Sequence, residues 1–279
     1  MSSNPRSGQP RGWAVILGAS SGTGAAIARA VAAAPGLDVF GVHRGRYPAS
    51  AAEVERDVAA LGRRAILRSA DAGTAESAEA GAAALLEVAG PRSVRLFVHS
   101  IASASVGRFL SGEKDQFHPR QIQKTFDAMA HSFIYWTQAL VGRDLLAPQA
   151  RLLGLTNPLT ETLLRNTGLI SAAKAALEMY IRQLAIELGP RGHRVNLVKF
   201  GTVMTPALVH VYSEEARARL EAAHRRMIPA GRMGTVEEVG RLVARLLDDD
   251  LEWFNGATID FTGGMTLRLL DLVLNEGSG

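Results

Sequence analysis

The sequence contains no cysteine, which excludes disulfides, thiolate metal sites and a cysteine nucleophile. Lysine is scarce too. Of 31 basic residues only four are lysines (Lys114, Lys124, Lys174 and Lys199), so a lysine at a critical spot is hard to ascribe to composition. No apolar run reaches the ~18 residues that would span a bilayer. The opening MSSNPRSGQPRG lacks the apolar centre of a signal peptide. These absences lead us to expect a cytoplasmic protein with no membrane partner. The net charge of +4 is spread along the chain, and its basic residues alternate with acids and apolar residues, as in ARARLEAAHRR. That pattern marks solvated helix faces, so no nucleic-acid partner is expected. The seven histidines form no HExxH pair, and no metal is expected.

What is present is a 279-residue chain with 47% hydrophobic and 21% charged residues, within the range of one α/β domain. After a tail over 1–11, expected to be flexible, short apolar runs alternate with longer helical patterns. Strands are expected at Ala14–Leu17, then in LDVFGVHR, RAILRSAD, VRLFVHSIA, RLLGLTNP, RVNLVKFG and GATIDFTGG. Between them, helices are expected over Gly24–Ala34, Ala51–Leu61, Ala75–Ala89, Gln121–Leu140, Gly168–Leu188, Glu214–Arg226 and Val236–Asp248. Such alternation implies a parallel sheet covered on both faces, a doubly wound α/β (Rossmann-type) fold. Neither a linker nor a repeat divides it, so 12–279 reads as a single domain.

The segment GASSGTG (Gly18, Ser20, Ser21, Gly22, Thr23 and Gly24 among its residues) stands where the first strand turns into a helix. Glycines there permit the turn and let backbone N–H groups approach a pyrophosphate at the helix N-terminus. The second strand ends in GVHRGR, where an acid would otherwise accept from a ribose 2′-hydroxyl. His43 and Arg44 stand there instead, with Arg46 nearby, and a guanidinium suits a phosphate. NADP(H) is therefore favoured, with NAD(H) as the alternative. Asp71, after the third strand, and its neighbour Ala72 fall where an adenine would lie.

Taken together, these residues make the chain similar to the short-chain dehydrogenase/reductase family. The likeness rests on Gly18, Gly22, Gly24 and Asp71, on VHSIA at 98–102, on Lys174 followed by AALE, on RVNLVKFGTVMTP at 194–206 and on the terminal GATIDFTGG. A narrower resemblance to enoyl-acyl-carrier-protein reductases comes from VHSIA, HSF at 131–133, NTGLISAAKAALE and PAGRMG, although the loop GASSGTG follows the general family pattern. The resemblance implies that Ser100, Ile101, Ala102, Gly201, Val203 and Thr205 touch the cofactor, that Lys174 holds the nicotinamide ribose, and that 205–230 forms a substrate lid. It also implies a homodimer or homotetramer paired through the two long central helices.

Of the family's catalytic Asn, Ser, Tyr and Lys, only the lysine is kept. Met129 stands for the asparagine, and Thr156 and Asn157 occupy the serine region. The usual Tyr-x-x-x-Lys spacing puts the phenol at Ile170, and the wider enoyl-reductase spacing puts it at Thr167. Neither is a tyrosine. Ketone reduction makes an alkoxide that needs an acid directly, whereas an enoyl thioester yields an enolate whose carbon water can protonate, leaving the phenol as an oxyanion donor. Thr156 and Thr167 could donate in its place, and His210 or Tyr212 could reach in from the lid. The expected function is an atypical NADPH-dependent reductase of an enoyl thioester or related carbonyl compound, acting on a small-molecule or carrier-bound acyl substrate. Two alternatives stay open: a non-redox isomerase, dehydratase or cyclase, and a nucleotide-binding or scaffold subunit without activity.

Overall fold

The computed structural model describes residues 12–111, 116–161, 164–205, 208–209 and 213–267. The expected flexible tail over 1–11, and the lid residues His210 and Tyr212, lie outside them. Seven parallel strands form one sheet: β1 (Trp13–Leu17), β2 (Asp38–His43), β3 (Ala65–Ser69), β4 (Val94–His99), β5 (Leu146–Thr156), β6 (Arg194–Phe200) and β7 (Thr258–Phe261). Their order is β3-β2-β1-β4-β5-β6-β7. The direction of winding reverses between β1 and β4, and a crevice opens there at the C-terminal strand ends.

Strand side chains alternate between two cores, as the two-residue period of a strand requires. Val15, Leu17, Phe40, Val42 and Phe97 pack under helices α3 (Ala75–Ala89), α5 (Ser132–Gly142) and α6 (Gly168–Leu188). Ala14, Ile16, Val39, Leu96 and Val98 pack on the other face, under α1 (Gly22–Ala33) and α2 (Pro48–Ala60). Because both faces are buried, these strands read in the sequence as continuous apolar runs.

The helix expected over Gln121–Leu140 is not continuous. It runs as α4 (Pro119–Phe126), a π turn (Asp127–His131) and then α5. Two buried groups meet at this turn. Ser132 Oγ donates to Ala128 O at 2.9 Å, and His99 Nε2 lies 3.2 Å from the same carbonyl and 2.8 Å from Ser132 Oγ. A carbonyl engaged by side chains from β4 and α5 favours the widened turn, which is a frequent mark of functional sites. β5 also begins earlier than expected, at Leu146, because the stretch before Arg151 pairs with the start of β4 across an irregularity between Val94 and Leu96. Two helices complete the described chain, α7 (Glu214–Met227) and α8 (Val236–Arg245), the latter shorter than the expected Val236–Asp248. Among the described residues, no helix is long and apolar enough to cross a membrane, and no cluster of ligand side chains could hold a metal ion.

Candidate active site at the switch point

A cavity of about 500 Å³ runs along the C-terminal strand ends and joins the glycine loop to the start of α6. At one end lie Gly18, Ser20, Ser21, Gly22 and Thr23. Gly18 has φ +87°, and a Cβ there would collide with the Ser100 carbonyl, so the loop closes only on a bare backbone. Gly24 is not in the cavity wall. Its Cβ would run into Gly18 O, so its role is the close approach of helix and strand rather than contact with a ligand.

The β2 end contributes His43, Arg44, Arg46 and Tyr47. His43 Nδ1 accepts from Gly45 N at 3.1 Å, which fixes the turn, and burial lowers its pKa so that the ring stays neutral. Burial and the like charge of Arg46 both lower the pKa of Arg44, opposed by Asp71. Neither guanidinium forms an ion pair among the described residues, so a phosphate dianion would find two unneutralised donors there. Asp71 Oδ1 accepts from Gly73 N at 3.0 Å, and Ala72 O accepts from Trp136 Nε1 at 3.2 Å. Both residues line the cavity, as do Ser100, Ile101 and Ala102 beyond β4. The glycine cradle, the two arginines and this row of backbone therefore fit a dinucleotide bearing an extra phosphate.

At the other end, α6 presents Lys174, which is 5% exposed. Its Nζ donates to Leu155 O at 2.7 Å, and burial pulls its pKa down to about 8. Beside it in the wall stands Thr156, 3% exposed, whose Oγ1 is shielded and has no hydrogen-bond partner among the described residues. Asn157 also lines the cavity, but its Oδ1 is committed to Leu159 N at 3.1 Å. Thr167 does not line it, and its hydroxyl donates to Leu164 O at 2.8 Å. Ile170 packs on Ala128, Met129 and Ala173. Gly201, Val203 and Thr205 close the wall after β6; Thr205 Oγ1 accepts from Leu208 N at 3.3 Å.

Sequence reasoning did not single out Leu159, Leu164, Leu208, Leu220 and Met265, which make this end apolar. Leu220 on α7 and Met265 beyond β7 lie far along the chain from the other wall residues, and no local pattern marks them. Nor did it single out His99, which is fully buried behind the wall. Burial and the nearby Lys174 charge push its pKa down to about 3, so it is neutral.

A sequence model of the family described as Enoyl-(Acyl carrier protein) reductase matches residues 18–266. The chain is 32% identical to an uncharacterized oxidoreductase of Methylorubrum extorquens over 90% of this chain and 96% of that one. It is 27% identical to the 1-cyclohexenylcarbonyl-CoA reductase of Streptomyces collinus, over 91% and 86% of the two chains. A short-chain dehydrogenase of Burkholderia cenocepacia, solved in complex with NADP, superposes with a TM-score of 0.75 at 28% identity, covering 92% of this chain and 97% of that one.

Proposed function

Because this chain belongs to the short-chain dehydrogenase/reductase family of NAD(P)-dependent oxidoreductases, we propose that it uses NADPH to reduce the carbon–carbon double bond of an enoyl thioester or related unsaturated carbonyl compound. The observation that carries this reading is the nicotinamide end of the cavity. There, an apolar wall holds the Lys174 ammonium and the buried Thr156 hydroxyl, which has no partner among the described residues, and neither Thr167 nor Ile170 sets an acid against the substrate oxygen. An alkoxide must be protonated as it forms, by a group touching that oxygen. An enolate spreads its charge and persists long enough to be protonated at carbon, so it needs a hydrogen-bond donor at oxygen and a proton source elsewhere. The 1-cyclohexenylcarbonyl-CoA reductase among its relatives bears a name of the same chemical kind.

When bound, the reduced nicotinamide supplies the hydride. In this reading Arg44 and Arg46 hold the 2′-phosphate, Gly18–Thr23 cradle the pyrophosphate, and Asp71 accepts from the adenine amino group. Lys174 hydrogen-bonds the nicotinamide ribose with N–H groups not taken by Leu155 O, while Val203 packs on the ring and Thr205 meets the carboxamide. Thr156, turned about χ1 toward the substrate, donates to the thioester oxygen as it gains charge. The wall of Leu159, Leu164, Leu208, Leu220 and Met265 takes the acyl chain and keeps water out, and 205–230 serves as the lid. Excluding water strengthens the Thr156 hydrogen bond, because a low local dielectric magnifies it.

NADPH consumption with crotonyl- and longer enoyl thioesters, beside NADH as the alternative reductant and a ketone as the alternative substrate, tests the reading. Turnover with the enoyl substrates and NADPH is expected. Turnover of the ketone alone, or NADPH binding without any reduction, would overturn it.

A further inference from the structure

The cavity wall holds six titratable side chains among its described residues, and five of them belong to the adenosine end: His43, Arg44, Arg46, Tyr47 and Asp71. They stand at or just beyond the C-terminal ends of β2 and β3, across β1 from β4–β6. Lys174 is the sole one at the other end. It is buried, carries no carboxylate partner among the described residues, and spends one N–H on Leu155 O, leaving two for a ligand. From this geometry we infer that the Lys174 ammonium is the proton source for the reduced substrate, so that one residue both grips the cofactor and finishes the reaction. The inference rests on the enoyl-reductase reading above.

The step balances. Hydride from the reduced nicotinamide forms a C–H bond at the β carbon, and the double-bond electrons move onto the thioester to give an enolate. One Lys174 N–H bond then breaks and its proton forms the second C–H bond at the α carbon. The neutral amine left behind takes a proton from water once the product has left. Burial supports the role, since an ammonium whose pKa has fallen to about 8 gives up its proton far more readily than an exposed lysine.

The surroundings do not supply a competing charge. From β4, His99 is held neutral. β5 presents the Leu155 carbonyl and the Thr156 hydroxyl, and the π turn presents Ala128. Asp127 of that turn is bonded to Gln123 Nε2, and Lys124 on α4 is exposed. Lys199 on β6 is tied to Glu161 and Asp260.

The scarcity of lysine makes the test clean. With lysine labelled at ¹³Cε and ¹⁵Nζ, the cofactor-free protein gives four side-chain signals, and Lys174→Arg assigns one of them. The expected result is that this signal titrates near pH 8, well below the ordinary value of about 10.4. In turnover of an enoyl thioester, kcat/KM should be flat below pH 8 and fall tenfold per unit above it. Lys174→Arg keeps the charge but cannot release a proton at these pH values. It should bind NADPH within about tenfold of the wild type by nicotinamide fluorescence, yet turn over at least ~10²-fold more slowly and lose the alkaline limb. Lys174→Ala should regain activity with added methylamine.

A Lys174 signal titrating above 10 would overturn the inference. So would a Lys174→Arg enzyme with wild-type rate and limb, or a limb that vanishes instead in Tyr212→Phe. Each of these leaves the enoyl-reductase reading standing as long as the wild type reduces an enoyl thioester. A wild type that reduces none removes both.

Discussion

Replacing Thr156 by valine separates catalysis from stability, because the two effects have opposite signs. The side chain is 3% exposed and its hydroxyl finds no partner among the described residues. A buried, unpaired hydroxyl costs a fold about 1–3 kcal/mol. Valine has the same branched shape and none of that cost, so Thr156→Val should gain about 1 kcal/mol. For a chain of this size that corresponds to roughly 2–4 °C in Tm. The same change removes the proposed donor to the enolate oxygen, a loss of ~10²–10³ in kcat. The expected variant is therefore more stable and slower, a trade-off common where a site keeps a polar group for its substrate. Differential scanning calorimetry of the cofactor-free protein and kcat for NADPH with an enoyl thioester measure the two quantities. A lower Tm would show that the hydroxyl already has a partner in the fold, and an unchanged kcat would remove Thr156 from the oxyanion site.

Three further outcomes are expected. Arg44→Ala should weaken NADPH binding by ~10–100-fold while leaving NADH within about threefold, since a charge-assisted bond to phosphate contributes roughly 1.5–3 kcal/mol; equal losses for both would mean that Arg44 does not read the 2′-phosphate. Gly24→Ala should sharply reduce soluble protein or dinucleotide affinity, because the new methyl would meet Gly18 O; wild-type fluorescence titration of that variant would show that the loop can spread. His99, with its pKa lowered to about 3 against ~6.5 in the unfolded chain, should make the fold lose stability as pH falls through that window. Its contribution is fully present above 6.5, and below that the unfolded chain takes up a proton the folded one refuses, at about 1.4 kcal/mol per pH unit. Urea unfolding between pH 7 and pH 4 should show a steeper decline for the wild type than for His99→Asn, and equal slopes would refute this.

Much of the scaffold was legible because its local signals and its tertiary environment agree. α3 and α6 span the expected Ala75–Ala89 and Gly168–Leu188 residue for residue. Thr74 caps the former, its side chain accepting from Ser77 N at 3.1 Å. The doubly wound sheet followed from apolar runs that are buried on both faces. The π turn was hidden, because Gln121–Leu140 holds no proline or glycine, and His99, which with Ser132 engages the Ala128 carbonyl there, comes from β4.

The cavity wall was legible in the glycine loop, at Arg44 and at Lys174, all of which line it. The apolar wall was not, since Leu159, Leu220 and Met265 converge from separate segments. Spacing alone made Thr167 as good a candidate as Thr156. The difference between them is whether the hydroxyl has an acceptor among the described residues, which Thr167 finds in Leu164 O and Thr156 does not.

Hydride transfer itself can be followed most directly with NADPH carrying deuterium at C4 and an enoyl thioester, with the product read by mass spectrometry. A saturated thioester one mass unit heavier, with the label on the β carbon, is the expected result. A substrate left unreduced while NADPH binds tightly would show that a chain without the phenol has kept the cradle and given up the reduction.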